Sequence, residues 1–204
     1  MGTGVTDEMI EAIRAGRPVL FPTDTVYGLV TSAQRSEYTT RLYRLKGREE
    51  AQPSALLVAD LETLFECVPE LLGRAAVIAH TLLPGPYTLV LANPARRYPW
   101  LAGVRAETIG VRVPQLSPEA RQVLDAVGCV VATSANEPGG PSPASLDEVP
   151  KRIRSGVAAE LDLGRLPGTP STVLDFTGAE PNVIRDGAAS AAEAIARVRA
   201  ALAV

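Results

Sequence analysis

The chain has 204 residues, 46% of them hydrophobic, and a net charge of −3 at neutral pH, so it can bury one sizeable core. No apolar run reaches the ~18 residues that a membrane-spanning helix needs. The acidic balance and 4% aromatic content argue against a general nucleic-acid coat or a base-stacking surface.

Thr6, followed by Asp7-Glu8, is expected to open an amphipathic helix carrying Met9, Ile10 and Ile13, closed by Gly16. This acidic start lacks the basic-then-apolar pattern of a signal sequence, so a cytoplasmic location is expected. Residues 18–22 form a short buried strand, and Ser36 caps a second helix with Leu42 and Leu45 on one face and basic residues on another. A strand at 55–59 and a short helix at 60–68 follow, and Pro69 starts another helix in its first turn. Leu83-Pro84-Gly85-Pro86 breaks that helix before a strand at 87–91. In the second half, 108–114 is a strand, Ser117-Pro118-Glu119 opens a helix, and 129–132 is a buried strand. A breaker-rich loop at 137–143 leads to a helix from Ser145, strands at 161–163, 171–176 and 182–185, and a closing helix at 190–202. Helices alternating with short β runs predict an α/β fold with a mixed sheet, and the absence of repeats or linkers predicts one domain over residues 1–204.

Two stretches read as anion chemistry: Phe21-Pro22-Thr23-Asp24-Thr25-Val26-Tyr27-Gly28, and Lys46-Gly47-Arg48 at the end of the next helix. Lys46 is one of two lysines in a chain that otherwise uses arginine. A three-donor ammonium and a planar guanidinium two residues apart suit different oxygens of one polyphosphate. Strand ends contribute hydroxyls: Thr23 and Thr25, then Thr133, Ser134 and Asn136, then Ser171 and Thr172. Ligands of α/β folds gather at such ends, although each group taken singly is an ordinary turn residue. Arg41, Arg44, Lys46 and Arg48 form one basic cluster, and Arg96, Arg97, Arg105 and Arg112 another. They either share one cleft or are separate solvated faces.

Other chemistries fit worse. His80 is the sole histidine and sits at the end of an apolar helix, where packing or a helix-end contact is expected. Cys67 and Cys129 lie in apolar contexts without metal-ligand spacing and read as buried free thiols. Neither a phosphate-binding Gly-x-x-x-x-Gly-Lys loop nor a Gly-x-Gly-x-x-Gly helix start is present.

The chain resembles the YrdC-like family of threonylcarbamoyl-AMP synthases over nearly its whole length. The resemblance rests on the 21–29 and 46–48 segments, on Pro84-Gly85-Pro86-Tyr87-Thr88, on Gly110-Val111-Arg112-Val113-Pro114, and on Ser134-Ala135-Asn136 with Pro141-Ser142-Pro143. It continues through Pro170-Ser171-Thr172-Val173 and Arg185-Asp186-Gly187. It implies a twisted mixed sheet with flanking helices around a concave cleft. The implied enzyme is a nucleotidyltransferase joining L-threonine, bicarbonate and ATP into threonylcarbamoyl-AMP and pyrophosphate. Mg²⁺ comes with the ATP, and the product is used by separate tRNA-modification partner proteins. Position by position, Thr25, Arg112, Ala132 and Ser171 resemble the threonine contacts. Arg48, Gln52, Thr108, Ser134, Ser142 and Arg185 fall where the family meets ATP. Lys46 resembles the cation over the reacting phosphates, with Thr23 and Asn136 in support. Glu49, Leu57, Leu83 and Pro138 depart from the common pattern. Two rival readings are a double-stranded-RNA-binding or ribosome-associated module on the same surface, and a paralogue with another carbamoyl acceptor.

Overall fold

The computed structural model describes residues 3–49 and 51–203, so the two ends of the expected 1–204 unit lie outside the described residues. Helix α1 (Thr3–Arg14) begins three residues earlier than its acidic start suggests. Thr6 is buried with Met9, Ile10 and Ile13 on the inward stripe instead of standing at the helix entrance. Strand β1 (Val19–Pro22) turns back into β2 (Tyr27–Ser32), a fully buried strand that the sequence reading did not separate from the 21–28 motif. Helix α2 (Ser36–Lys46) takes Ser36 as its first helical residue, and Arg35 occupies the cap position without a side-chain cap bond. Its end is local chemistry: Gly47 adopts φ 72°, and the N–H groups of Gly47 and Arg48 return to the Arg44 and Tyr43 carbonyls.

After β3 (Ala55–Val58), Asp60 caps α3 (Leu61–Cys67) by accepting from the Thr63 N–H. Helix α4 (Arg74–Leu82) starts at Arg74 and not at Pro69, because Gly73, at φ 51°, turns the chain immediately before it. Then come β4 (Tyr87–Ala92), β5 (Thr108–Arg112), α5 (Pro118–Val127) capped by Ser117, and β6 (Cys129–Ser134). The helix expected from Ser145 is a single 3₁₀ turn (Leu146–Glu148) followed by a four-residue α6 (Lys151–Arg154), since Pro150 supplies no N–H to continue the first. The expected strand at 161–163 is absent. Glu160 makes one isolated bridge to Leu20, after which Gly164, at φ 74°, bends the segment away. Strands β7 (Thr172–Asp175) and β8 (Asn182–Arg185) and helix α7 (Ala191–Leu202), capped by Ser190, close the order.

Eight strands among the described residues form one mixed sheet in the order β1-β2-β6-β3-β5-β4-β7-β8, parallel at β3/β5 and β4/β7 and antiparallel elsewhere. Alternation of side chains assigns each strand residue to one of two faces. Leu29, Leu56, Leu89, Ile109, Val111, Val131 and Leu174 face the larger core with residues of α2, α3, α4 and α7. Val30, Leu57 and Val130 face a smaller core formed with α1 and α5. That second layer covers part of its face and leaves the rest open. Leu57 is therefore core beneath these helices. His80 packs its ring against Phe65, centroids 5.1 Å apart, and Cys129 is buried at the start of β6 with Tyr98 Oη 3.5 Å from its sulfur. Among the described residues no helix is long and apolar enough to cross a membrane.

Gly187, just past β8, lies so close to the 170–171 segment that a Cβ there would stand 2.3 Å from the Pro170 carbonyl oxygen. Gly187→Ala is expected to cost about 1–3 kcal/mol in a urea denaturation, the range of an overpacked contact that the backbone must relieve.

Candidate active site

The open part of the second sheet face is the floor of a cavity of about 440 Å³. Ala132, Ala55 and Gly110 stand in one cross-strand row on β6, β3 and β5, and Gly28 lies a step away on β2. Four adjacent strands thus present almost no side chain where α1 and α5 no longer cover them. Larger groups rise around this floor: Arg48, Arg105, Arg112 and Arg185, with Thr88, Thr108, Ser134 and Ser171 between them. The two basic clusters in the sequence divide. Arg48, Arg105 and Arg112 reach the cavity, whereas Arg41 donates to the Gly16 carbonyl and Arg97 pairs with Glu70.

The turn between β1 and β2 is held by its own hydroxyls. Thr23 Oγ1 donates to the Val26 carbonyl at 2.7 Å and accepts from the Thr25 and Val26 N–H groups. This turn presents Asp24 and Thr25 to Arg112, the last residue of β5. Arg112 Nη2 donates to Asp24 Oδ1 at 2.8 Å and to Thr25 Oγ1 at 3.2 Å. The Gln115 N–H holds the other Asp24 oxygen at 3.2 Å. Arg112 is 8% exposed, and its Nε is buried without a hydrogen-bond partner. Burial pulls the Arg112 pKa down, opposed by the charge of Asp24; burial likewise raises that of Asp24, opposed by Arg112.

Lys46 and Arg48 converge on the end of β6 but do different things there. Arg48 lines the cavity, donates from Nη1 to Thr133 Oγ1 at 2.9 Å and from Nη2 to the Pro53 carbonyl, and lies over the Tyr43 ring. Lys46 is 3% exposed and does not line the cavity. Its ammonium donates to the Ser134 and Asn136 carbonyls, both at 2.6 Å, and to Asn136 Oδ1 at 2.9 Å. All three donors are therefore engaged in fixing the 134–136 turn, and Asn136 Oδ1 in turn accepts from Ser134 Oγ. Burial, then the neighbouring charge of Arg48, holds the Lys46 pKa down at about 8.

The far wall joins Ser171 to two partners: Thr88 Oγ1 at 2.8 Å and Arg185 Nη2 at 3.1 Å. Arg185 Nε also donates to the Ser171 carbonyl at 3.0 Å. Of the residues anticipated from sequence, Thr23, Arg48, Gln52, Thr108, Arg112, Ala132, Ser134, Ser171 and Arg185 line the cavity. Thr25, Lys46 and Asn136 stand behind that lining, and Ser142 is not part of it. Glu49 is exposed and also outside it. The sequence reading did not assign Thr88 or Arg105. Arg105 is fixed by Asp175 at 2.8 Å, a pairing across 70 positions that has no local signature. No group of three or more His, Cys, Asp or Glu side chains suited to a metal occurs among the described residues.

The Sua5/YciO/YrdC family model, described as telomere recombination, matches residues 11–187. A putative threonylcarbamoyl-AMP synthase of Mycobacterium tuberculosis is 35% identical over 190 residues, covering 93% of this chain and 86% of that protein. The crystal structure of Pyrococcus abyssi Sua5 complexed with L-threonine superposes with a TM-score of 0.83 at 32% identity over 94% of this chain. The chain spans 56% of that longer protein. Escherichia coli YciO superposes with a TM-score of 0.82 at 26% identity, covering 93% of this chain and 92% of that one.

A Cβ at Gly110 would meet nothing closer than 3.4 Å. Gly110→Val is therefore expected to fold with near-normal stability while its methyls fill the floor, so that binding of sulfate, as an anionic probe of the cavity, weakens by calorimetry. The depressed pKa of Lys46 sets a second expectation. The folded lysine loses its proton near pH 8, while the unfolded one keeps it to roughly 10.4. Raising pH through 8 thus removes a cation beside the cavity without removing stability, since the folded state releases its proton first. Affinity for sulfate, whose charge is fixed over this range, should fall between pH 7 and 9 while the melting temperature shows no loss from this group.

Proposed function

The chain belongs to the Sua5/YciO/YrdC family, and we propose that it is a threonylcarbamoyl-AMP synthase, forming threonylcarbamoyl-AMP and pyrophosphate from L-threonine, bicarbonate and ATP. The observation that carries this reading is a nearly buried guanidinium, Arg112, lining the same cavity as Arg48 and Arg185. Arg112 offers a guanidinium for an amino-acid carboxylate, and Arg48 and Arg185, held by different walls, offer two for a polyphosphate.

The chemistry asks for alignment more than for a protein nucleophile. The threonine amine takes up bicarbonate carbon as a carbamate with loss of water. A carbamate oxygen then attacks the α-phosphorus, the bond to the β-phosphate breaks, and pyrophosphate leaves, so the enzyme is a nucleotidyltransferase. Arg112, steadied by Thr25, orients the carboxylate, with Ser171 and the backbone at Ala132 beside it. Arg48 and Arg185 face the charge that builds on phosphate, while Gln52, Thr108 and Ser134 border the nucleotide. Lys46 contributes from behind, pinning the Ser134–Asn136 turn and adding positive charge beneath the phosphates. ATP is taken as its Mg²⁺ complex. With no carboxylate cage among the described residues, phosphate and water oxygens would hold that ion. The product would pass to separate proteins that modify tRNA. A double-stranded-RNA module is not favoured by cations that line a concavity of this size, since a duplex presents its phosphates over a broad outer surface.

Pyrophosphate release from ATP should require both threonine and bicarbonate. Arg48→Ala should lower it by roughly 10²-fold, the scale of one lost transition-state charge contact, and Lys46→Ala should lower it by freeing the 134–136 turn that the ammonium pins. Release indifferent to threonine, or normal turnover in Arg48→Ala, would remove the reading.

A further inference from the structure

Four guanidiniums border the cavity, and they are not equally charged in effect. Arg105 is paired with Asp175 and flanked by Glu107. Arg112 is paired with Asp24, both side chains about nine-tenths buried, at 10% and 9% exposure. Arg48 and Arg185 have no ion pair among the described residues; their partners are a hydroxyl and carbonyl on one side and Ser171 on the other. Asp24 does not line the cavity, and both of its oxygens are engaged, one by Arg112 and one by the Gln115 N–H. It therefore acts on the cavity from behind, through Arg112.

This arrangement has a consequence for two substrates of different charge. A nucleoside triphosphate carries several negative charges, whereas an amino acid is a zwitterion with no net charge. An uncompensated Arg112 would attract phosphate as readily as Arg48 or Arg185 does, and Arg185 is near enough for its charge to weigh on Arg112. We propose that Asp24 sorts the substrates: by cancelling the charge of Arg112 from the rear, it leaves that guanidinium fit for the carboxylate of a zwitterion and unattractive to phosphate. The assignment rests on the threonine and ATP reading above and makes Asp24 a positioning and specificity residue. Asparagine cannot replace it, because it carries no charge and because Arg112 and the Gln115 N–H meet different carboxylate oxygens, one of which becomes a donating NH₂ in the amide.

Sulfate tests this, being a dianion whose charge does not change between pH 5 and 8. In the wild type sulfate should compete with ATP and not with threonine. In Asp24→Asn, at saturating ATP, sulfate should become competitive against threonine at roughly tenfold lower concentration, and the threonine KM should rise severalfold, while the ATP KM stays within about twofold. A folded Asp24→Asn with an unmoved sulfate pattern, or with lower turnover and both KM values unchanged, overturns the proposal. If the variant does not fold by circular dichroism, Asp24→Glu supplies the second measurement. It keeps a negative charge behind Arg112, so sulfate should remain without effect against threonine, and sulfate competing with threonine in a folded Asp24→Glu overturns the proposal. Failure of the wild type to bind L-threonine by calorimetry sinks the function and the role of Asp24 together. Threonine binding with no shift in sulfate behaviour sinks the role of Asp24 alone.

Discussion

Part of one sheet face is left without a helical cover, and the site depends on that asymmetry. On the other face, α2, α3, α4 and α7 bury large aliphatic side chains from most of the strands. On this face, α1 and α5 cover Val30, Leu57 and Val130, and the row continues as Gly28, Ala55, Gly110 and Ala132. Small residues there would waste buried area if a third helix lay above them. Without one, they make a concave floor on which a ligand can approach the backbone of four strands at once. The same strands thus serve as core at one end and as binding surface at the other.

Rigidity at the rim follows from where the functional groups are attached. Arg112 ends β5, Ser134 ends β6, and Arg185 ends β8, so each begins from backbone fixed by ladder hydrogen bonds. The turns between strands are fastened as well. Thr23 closes the 23–26 turn, and the buried Lys46 ammonium ties down the turn at 134–136. Burying that ammonium is costly. Three close oxygen acceptors offset the loss of water, and the lowered pKa records the part that is not offset. A group held this firmly needs no reorganisation when a substrate arrives, which is the condition under which fixed charges are most effective in catalysis.

Charge compensation adds chemical direction to that rigid rim. Had all four arginines been free, the cavity would be a uniform anion trap. With Asp24 behind Arg112 and Asp175 holding Arg105, the positive potential concentrates at Arg48 and Arg185. The net charge of −3 hides this, because a protein's total says nothing about which cations are neutralised at short range.

Much of the molecule was legible in the chain itself where the governing interactions are local. The helix opening at Ser117, the helices expected at 60–68 and 190–202 and the 182–185 strand each show in residues close together in the chain, and the structure agrees with each. The motif spacing also singled out most of the cavity's polar residues. Three features escaped for a shared reason. Strand β2 begins inside a motif that reads as a turn, Pro69 opens no helix because of Gly73 beyond it, and the strand expected at 161–163 is replaced by a lone bridge at Glu160. In each, the outcome depends on what the segment meets across the sheet or on one positive φ. Tertiary structure alone decided that Arg48 enters the cavity while Lys46 turns beneath it, that Arg105 joins the rim through Asp175, and that Asp24 neutralises Arg112. Side-chain direction and ion pairing across 70 to 90 positions are set by strand order and register, and no local pattern of residues encodes those.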